Sequence, residues 1–438
     1  MTVIFHAGKI TMEIGKLYQK YLETGKVSTD TRQITSGSVF FALKGPSFNA
    51  NEFAEEALAK GASYAVVDEK KFVVNDRYIL VADSLKAFQD LAHHHRRQLQ
   101  IPVIGLTGSN GKTTSKELVN AVVSKKFKTR ATHGNLNNHI GVPLTILAID
   151  RSHEIAVIEM GANHLGEIAT LSGIANPTHG FITNIGKAHI GTFGGFENVV
   201  RGKSELYQYL ISQGGGVFVN SQNPMLANMA KRMKDPVFYP AKGDYYHCDF
   251  IEADPCVVLR AETGEEIRTQ LIGRYNFENI AVALCIGKYF GVGSAAAHQA
   301  VAEYVPGNMR SQVIKKGSNT IILDTYNANP SSMEAAIENL ATMHAGKKVA
   351  ILGDMYELED EAPVEHVRIG TILKENGITE AYLCGPLMGV AEKTFPQGKF
   401  FRSKEELVKE LQVRPIVNAL ILIKASRGMA LEKLVEFI

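Results

Sequence analysis

A run of small and polar residues between an apolar stretch and a helix-forming stretch constrains this chain more than any other feature. Val103-Ile104-Gly105-Leu106 is an apolar stretch of strand length, and Thr107-Gly108-Ser109-Asn110-Gly111-Lys112-Thr113-Thr114 follows it directly. Glycines before Lys-Thr let backbone N–H groups curl around phosphate oxygens, and the N-terminus of the next helix favours their negative charge. The run therefore predicts a strand, a phosphate-binding loop and a helix, the opening of a parallel α/β sheet.

The loop fits the core pattern G-x-x-G-K-T, with Gly108 as its first glycine. Leu106 stands where the general phosphate-loop pattern has a more distant glycine. Lys112 is placed to reach the β- and γ-phosphates of a nucleotide, and the Thr113 hydroxyl is placed to ligate Mg²⁺. A chance glycine-rich turn is the alternative, but the strand before the loop and the helix after it argue against that.

Two further apolar stretches lead to polar residues that would complete a metal site. Residues 155–158 run into Glu159, and residues 181–184 lead on to His189. Ligands gather at the carboxyl ends of strands in an open parallel sheet, so both side chains are expected beside the phosphate loop. A carboxylate after four apolar residues is costly unless it is paired or bound to metal. His189 alone is a weaker signal, because Mg²⁺ prefers oxygen ligands.

A second polar cluster follows the apolar residues 320–323. Asp324 can accept hydrogen bonds from ribose hydroxyls, and Tyr326 or Asn327 can pack against a base. An ordinary strand-to-helix loop has the same composition, and the spacing favours neither interpretation. Arg310 comes just after an inferred hinge and can reach a phosphate if two domains close.

At 438 residues the chain is too long for one core of ordinary size. Pro102 and Pro306-Gly307 mark breaks between three series of strand and helix patterns. We expect an α/β protein of three domains. They are a small α/β substrate domain at 1–99, a central parallel-sheet domain with the phosphate loop at 100–307, and a Rossmann-like doubly wound domain at 308–438.

Charge and composition exclude several classes of protein. Lys and Arg number 47 against 45 Asp and Glu, so no basic surface is expected for nucleic acid or an anionic membrane. No stretch reads as a signal peptide or as a membrane span. The four scattered cysteines form no C-x-x-C pair and indicate reduced thiols. We therefore expect a cytoplasmic protein that binds anionic ligands at a local site.

Taken together, the motifs resemble those of the Mur ligase family, whose phosphate loop departs from the general pattern in the same way. The matching segments occur in all three expected domains. They are Ser28-Thr29-Asp30-Thr31-Arg32, Phe40-Phe41-Ala42-Leu43-Lys44-Gly45, Thr107 to Thr114, Gly134-Asn135-Leu136-Asn137-Asn138-His139-Ile140-Gly141-Val142-Pro143, Glu159-Met160-Gly161-Ala162-Asn163, Asn184-Ile185-Gly186-Lys187-Ala188-His189, Asp324-Thr325-Tyr326-Asn327-Ala328-Asn329-Pro330 and Leu352-Gly353-Asp354-Met355.

The resemblance implies an ATP-dependent ligase that joins a carboxylate to an amine, with ATP and Mg²⁺ as cofactors. The Tyr-Asn-Ala-Asn loop at 326–329 is similar to that of the members that add D-Ala-D-Ala to UDP-N-acetylmuramoyl-tripeptide, the last cytoplasmic step of peptidoglycan-precursor synthesis. The first domain would then bind the UDP-linked substrate, the second ATP and metal, and the third would complete the nucleotide site and admit the dipeptide. A monomer without a nucleic-acid partner or membrane insertion is expected.

The resemblance also assigns residues. One Mg²⁺ is implied at Thr113 and Glu159, and a second at Glu159, His189 and a carbamylated Lys203, although Lys203 reads from its spacing as a solvated helix residue. The implied catalytic residues are Lys112, Glu159, His189 and Lys203. The implied ATP contacts are Gly108, Ser109, Asn110, Gly111, Lys112, Thr113, Thr114, Asn276, Arg310, Asp324, Tyr326 and Asn327. The implied substrate contacts are Asp30, Arg32, Lys44, Asn135 and Asn138.

The chain departs from the family pattern at three places. Tyr275 stands where many members have His, His139 where the pattern has Glu, and Asn49-Ala50-Asn51 where it has Asp-Gly-His. Two alternatives remain open. One is a Mur-type or folylpolyglutamate-type ligase that adds a single amino acid. The other is a phosphate-loop NTPase that switches a partner, although the polar cluster of the third domain favours a two-substrate enzyme.

Overall fold

A computed structural model describes residues 13–307 and 309–438 of the chain. Its sheets occupy three consecutive parts of the sequence, and most of their strands are parallel. The expected α/β fold is thereby confirmed. In the described residues, none of the helices combines the length and the apolar character needed to span a bilayer.

The N-terminal part is built on a four-stranded parallel sheet. In spatial order its strands are Val27–Ser28, Val39–Phe41, Tyr64–Val67 and Tyr78–Leu80, and a separate hairpin pairs Lys44–Gly45 with Phe48–Asn49. Its helices are Ile14–Thr24, Ala54–Ala59 and Ser84–Gln98. The strand Val39–Phe41 is buried at every position, as expected for a strand covered on both faces.

The central part is built on a six-stranded parallel sheet, and a three-stranded antiparallel sheet follows it in sequence. The strands of the large sheet are, in spatial order, Val237–Tyr239, Gly216–Asn220, His179–Ile182, Val103–Thr107, Ile155–Glu159 and Thr129–Ala131. The small sheet contains Cys248–Ala253, Cys256–Ala261 and Glu266–Ile272. The helices are Lys112–Val123, Gly141–Leu147, Glu167–Ala175, Ile190–Phe193, Phe196–Gln213, Pro224–Ala230, Asn276–Tyr289 and Ser294–Glu303.

The C-terminal part is built on a second six-stranded sheet, which is parallel except at one edge. Its strands are, in spatial order, Gln312–Lys316, Asn319–Asp324, Leu420–Lys424, Lys348–Gly353, Glu380–Cys384 and Lys399–Phe401, with the first antiparallel to the second. Its helices are Pro330–Thr342, Ala362–Glu375 and Lys404–Val413. Ile321 and Leu323 pack into one buried cluster and Ile322 into another, so helices and loops cover both faces of the sheet.

The three parts are in contact along the chain. Phe88 and Leu91 of the N-terminal part share a buried cluster with Ile146 of the central part. The Tyr21 hydroxyl donates a 2.6 Å hydrogen bond to the backbone carbonyl of Leu147 across the same boundary. These contacts fix the N-terminal part against the helix Gly141–Leu147, which follows the Asn-rich segment at 134–139.

The C-terminal part docks directly on the segment that holds the phosphate loop. Asn329 Nδ2 donates to Asn110 Oδ1 at 2.8 Å, and the Lys187 backbone N–H donates to Ser331 Oγ at 2.9 Å. The ammonium group of Lys187 lies 2.5 Å from the buried carboxylate of Glu365. The polar loops at the carboxyl ends of the two large sheets are therefore brought face to face.

Two glycines of the central part provide a test of how closely its elements pack against each other. A Cβ on Gly180 would lie 2.6 Å from the carbonyl oxygen of Gly105 on the neighbouring strand, whereas a Cβ on Gly173 would have no atom of the described residues within 4 Å. We expect Gly180→Ala to destabilise the protein by about 1–3 kcal/mol, because backbone must shift to admit the methyl group. Gly173→Ala, inside the helix Glu167–Ala175, should stabilise it by about 0.5–1 kcal/mol. Urea unfolding of the two variants measures both effects, and an equal effect of both would contradict the packing.

Candidate active site

A cleft of about 1220 Å³ lies between the central and C-terminal parts. Most of the residues assigned from the sequence line this one cleft. They are Ser109, Asn110, Gly111, Lys112, Thr113, Thr114, Asn135, Asn138, Glu159, His189, Asn276, Arg310, Asp324, Tyr326 and Asn327. The assigned residues outside its lining are Asp30, Arg32, Lys44, Gly108 and Lys203.

The phosphate loop is held in place by the end of the neighbouring strand. The Ser109 N–H donates to the carbonyl of Asn184 at 2.9 Å, and the Asn110 N–H donates to Asn184 Oδ1 at 3.0 Å. The Thr183 hydroxyl donates to the Asn110 carbonyl at 2.7 Å. Gly108 has φ +148°, and a Cβ there would lie 2.0 Å from Thr183 Oγ1. Only glycine therefore permits the close approach that shapes the loop.

Lys112 is the first residue of the helix that follows the loop, and its side chain folds back across the loop. Its ammonium group donates to the carbonyl oxygens of Gly108 at 2.8 Å and Ser109 at 3.0 Å. Desolvation lowers the pKa of Lys112, and the carboxylate of Glu159 opposes that shift. The ammonium group therefore lies against the loop that would hold the phosphates, and its contact with a phosphate stays a prediction.

Glu159 presents an incompletely satisfied carboxylate at the carboxyl end of its strand. The side chain is buried, with Oε1 accepting from Thr113 Oγ1 at 3.2 Å and from Asn137 Nδ2 at 2.8 Å. Its Oε2 is buried and has no hydrogen-bond partner among residues 13–307 and 309–438. A buried carboxylate oxygen beside a threonine hydroxyl is a donor set that suits Mg²⁺. Asn137 was missed by the sequence analysis, although its neighbours Asn135 and Asn138 were assigned.

The residues present fit a hard cation that keeps several water or phosphate ligands. The described ranges 13–307 and 309–438 contain no cluster of three or more His, Cys, Asp or Glu side chains arranged to hold a metal by themselves. Mg²⁺ is commonly bound by one or two carboxylates together with substrate phosphates and water. Glu159 and Thr113 are in keeping with that mode of binding.

His189 lines the cleft from the central part and faces a residue that the sequence analysis missed. Its Nδ1 is 2.6 Å from Oε2 of Glu357, and the His189 contact lowers the pKa of that carboxylate. The two atoms are not aligned as in a hydrogen bond, so the pair is a close contact between the ring nitrogen and the carboxylate. The sequence placed His189 beside Glu159 but gave no reason to expect a carboxylate from the C-terminal part.

Lys203 is fully buried, so its interpretation as a solvated helix residue was wrong. Its Nζ donates to the carbonyl oxygen of Ala162 at 3.1 Å and lies 5.2 Å from the centre of the Phe193 ring. Burial, with a smaller contribution from the charge of Lys112, lowers the pKa of Lys203 to about 7. The spacing could not reveal this, because the burial arises from segments that pack over the helix Phe196–Gln213.

A series of hydrogen bonds between buried side chains connects Asn276 to the helix that follows the phosphate loop. Asn276 Nδ2 donates to the carbonyl of Ile272, and its Oδ1 accepts from Asn279 Nδ2, both at 2.8 Å. Asn279 Oδ1 in turn accepts from the Ser115 hydroxyl at 2.8 Å. A Cβ on Gly111 would lie 2.6 Å from Asn279 Oδ1, so Asn279 closes the cleft behind the loop. Asn279 was not assigned from the sequence.

Tyr275, where the family pattern often has His, contacts the C-terminal part. Its hydroxyl shares a 2.7 Å hydrogen bond with Ser311 Oγ, and the Ser311 N–H donates to Asp324 Oδ1 at 3.1 Å. Burial raises the pKa of Tyr275 well above that of an exposed phenol, so the hydroxyl stays neutral. Tyr275, which stands where the family pattern often has His, thus connects the two sides of the cleft through Ser311.

Asp324 is paired with a buried lysine that the sequence analysis missed. Asp324 and Lys424 are partners in register on adjacent parallel strands, with Asp324 Oδ2 2.6 Å from Lys424 Nζ. Lys424 also donates to the carbonyl of Asn327 at 3.2 Å. The signal was present in the sequence, because Lys424 ends an apolar strand in the same way as Glu159.

Arg310 and Tyr326 are stacked on each other. The guanidinium carbon of Arg310 lies 3.4 Å from the centre of the Tyr326 ring, and that of Arg427 lies 6.0 Å from it. Such cation–π contacts orient a guanidinium group without neutralising its charge. Arg310 therefore remains able to meet an anion at the cleft.

The substrate contacts assigned in the N-terminal part lie away from the cleft. Asp30 accepts hydrogen bonds from the backbone and guanidinium of Arg32, which lower the pKa of Asp30 to about 2. Lys44 lies 2.8 Å from Asp68 and 3.1 Å from Glu69. Each of these charged side chains is therefore paired with an oppositely charged neighbour in the N-terminal part.

Two further assigned residues do line the cleft. Asn135 is exposed there, while Asn138 Oδ1 accepts the N–H groups of Ile140 and Gly141 at 3.1 and 2.9 Å and thereby caps the next helix. His139, where the family pattern has Glu, lines the cleft with an exposed side chain.

The chain is similar to known proteins over nearly its whole length. Residues 106–287 match the Mur ligase middle domain, and residues 309–427 match the Mur ligase glutamate ligase domain. The UDP-N-acetylmuramoyl-tripeptide–D-alanyl-D-alanine ligase of Bacillus subtilis (strain 168) is 35% identical over 94% of this chain and 92% of its own.

Two solved structures share the fold. MurF from Acinetobacter baumannii superposes with a TM-score of 0.86 at 30% identity, covering 97% of each chain. MurF ligase from Thermotoga maritima in complex with ADP superposes with a TM-score of 0.84 at 28% identity, covering 95% of this chain and 97% of its own.

The Asp324–Lys424 pair yields a prediction. Lys424→Met should destabilise the protein by about 3–5 kcal/mol, because it leaves the Asp324 carboxylate in a largely buried site without its cation. Adding Asp324→Asn to that variant should restore part of the loss. Urea unfolding measures both changes, with Lys433→Met as an exposed-lysine control. Additive losses in the double variant would show that the two charges are not coupled.

Proposed function

The chain belongs to the Mur ligase family, and we propose that it catalyses the ATP-dependent joining of D-Ala-D-Ala to UDP-N-acetylmuramoyl-tripeptide. One observation carries the proposal: the phosphate loop, the incompletely satisfied Glu159 and the polar cluster of the C-terminal sheet line one cleft. Similarity to UDP-N-acetylmuramoyl-tripeptide–D-alanyl-D-alanine ligases along the whole chain supports the choice of substrates. A product of this reaction would be a precursor of peptidoglycan.

We assign a task to each of the three ranges. Residues 1–99 would hold the UDP-linked substrate, with Asp30, Arg32 and Lys44 as candidate contacts. Residues 100–307 would hold ATP and the metal, and residues 308–438 would complete the nucleotide site and admit the dipeptide. Both walls of the cleft come from a single chain, which supports a monomer as the working unit. ATP and UDP-linked sugars are cytoplasmic metabolites, so the cytoplasm is the proposed location.

The first step is transfer of the γ-phosphoryl group of ATP to the free carboxylate of the tripeptide, which gives ADP and an acyl phosphate. The loop N–H groups would hold the phosphates, and Lys112 would exchange its carbonyl contacts for phosphate oxygens. A positive charge fixed at this position stabilises the negative charge that shifts during transfer. Arg310 lies where it can meet the same anion from the C-terminal side.

The second step is attack of the dipeptide amine on the acyl phosphate. A tetrahedral intermediate forms and expels inorganic phosphate, and the amine loses a proton as the amide forms. The acyl phosphate must be kept from water, because hydrolysis would waste it. We propose that the contacts of Asn329, Ser331 and Glu365 with the central part help to keep water from this intermediate.

Mg²⁺ bound by Thr113 and Glu159, with a second ion near His189, would neutralise phosphate charge. Lys203 lies outside the cleft lining and its amine faces the Ala162 carbonyl, whereas a carbamate would lengthen the side chain and replace its positive charge with a metal-binding carboxylate. We propose that its amine adds to CO₂ and loses a proton, which yields a carbamate. Burial and the lowered pKa favour the neutral amine that this addition requires.

The reaction is tested by measuring phosphate release with purified protein. We expect release to require ATP, UDP-N-acetylmuramoyl-tripeptide and D-Ala-D-Ala together, and Lys112→Ala to lower the rate by at least about 100-fold. Lys125→Ala on the surface is the control. Phosphate release without the dipeptide would favour an NTPase switch, and full release with a single amino acid would favour another ligase of the family.

The carbamate is tested by ¹³C NMR with ¹³C-bicarbonate. A carbamate signal is expected in the unmodified chain and should be lost in Lys203→Ala, with activity lowered by about 10–100-fold and partly restored by formate or acetate. Lys116, another fully buried lysine, provides the matched control, because its ammonium group is held by the Thr132 carbonyl at 2.6 Å and by Glu117 at 2.7 Å. Lys116→Ala should keep the carbamate signal. Full activity of Lys203→Ala without rescue would refute the assignment.

A further inference from the structure

One loop of the C-terminal part reaches into the metal-binding half of the cleft. The loop follows the strand Lys348–Gly353 and carries Glu357, Leu358 and Glu359. Its backbone packs against Gly191, where a Cβ would lie 2.9 Å from the carbonyl carbon of Leu358. This contact places the Glu357 carboxylate 2.6 Å from His189 Nδ1, and both residues line the cleft.

The two facing residues both have an unusual backbone. His189 has φ +54° and Glu357 has φ +64°, in the left-handed region that residues other than glycine rarely adopt. Conformations of this kind persist where the surrounding structure enforces them, and they are concentrated at functional sites. Here the strain occurs on both sides of one contact, so the backbones of both parts are shaped to bring these side chains together.

The chemistry of imidazole determines which ring nitrogen of His189 can bind a metal. When Nδ1 carries the proton and faces a carboxylate, Nε2 carries the lone pair and is the atom free to ligate a metal. A turn of the ring would align the Nδ1–H with Glu357, and such contacts commonly tighten when ligands bind. Carboxylate partners of this type fix both the tautomer and the orientation of metal-binding histidines.

We propose that Glu357 is a positioning residue that holds His189 with Nε2 toward the cleft, so that docking of the C-terminal part completes the divalent-cation site of the central part. The inference rests on the proposed function, since His189 is assigned there to a cation. It adds that one supporting residue of this site comes from the opposite domain. Cation binding and domain docking are therefore coupled through one side-chain contact.

The experiment follows Mn²⁺ binding to the full-length protein by electron paramagnetic resonance in the presence of ADP. Glu357→Gln should weaken the binding of the Mn²⁺ ion that His189 ligates by about 10–100-fold. In a His189→Ala background the same substitution should have no further effect. Thermal unfolding of each variant verifies that it is folded.

A control separates positioning from charge. Glu359→Gln removes a charge from the same loop and should leave Mn²⁺ affinity within about twofold of the unmodified chain. Unchanged affinity in Glu357→Gln, or an equal loss in Glu359→Gln, would overturn the inference and leave the proposed ligase intact. Failure of the unmodified chain to bind Mn²⁺ would overturn the proposed cation site and this inference with it.

Discussion

The cleft depends on one buried carboxylate at the end of a strand. Glu159 has one oxygen held by Thr113 and Asn137, while its second oxygen is buried and finds no hydrogen-bond partner in the described part of the chain. Such a group is costly unless a cation completes it. The strand Ile155–Glu159 pairs directly with Val103–Thr107, so the phosphate loop and the carboxylate emerge side by side. The parallel pairing of two strands thus creates a place where a nucleotide phosphate and a cation can meet.

The parts of the site that could be predicted from the sequence are local in the chain. The phosphate loop is one continuous segment. The glycines in its sequence mark the positions where the backbone adopts a positive φ and approaches other atoms closely. Glu159 and Asp324 could be found because each polar residue ends an apolar strand, which fixes its position at one edge of a parallel sheet. The same rule applies to the cation Lys424, which ends an apolar strand beside Asp324.

The remaining features arise from contacts between distant segments. Lys203 has the spacing of an exposed helix residue, and its burial comes from the packing of Phe193 and the segment around Ala162 over it. Glu357 reaches His189 only because the C-terminal sheet docks on the central one. The edge strand Gln312–Lys316 and the small antiparallel sheet of the central domain were likewise not predicted. No local periodicity encodes such pairings, since they depend on which surfaces meet after each sheet has formed.

The charges in the cleft explain how a chain of net charge +2 can bind highly anionic ligands. Lys424 is neutralised by Asp324, and Lys187 by Glu365. Lys112 and Arg310 are instead held by carbonyl oxygens and by an aromatic ring, which orient a cation without cancelling its charge. A phosphate can displace such neutral partners, because charge-assisted hydrogen bonds are stronger than neutral ones. The fold therefore uses ion pairs within the C-terminal sheet and between two domains, and keeps cations with neutral partners where phosphate would bind, so that no basic outer surface is required.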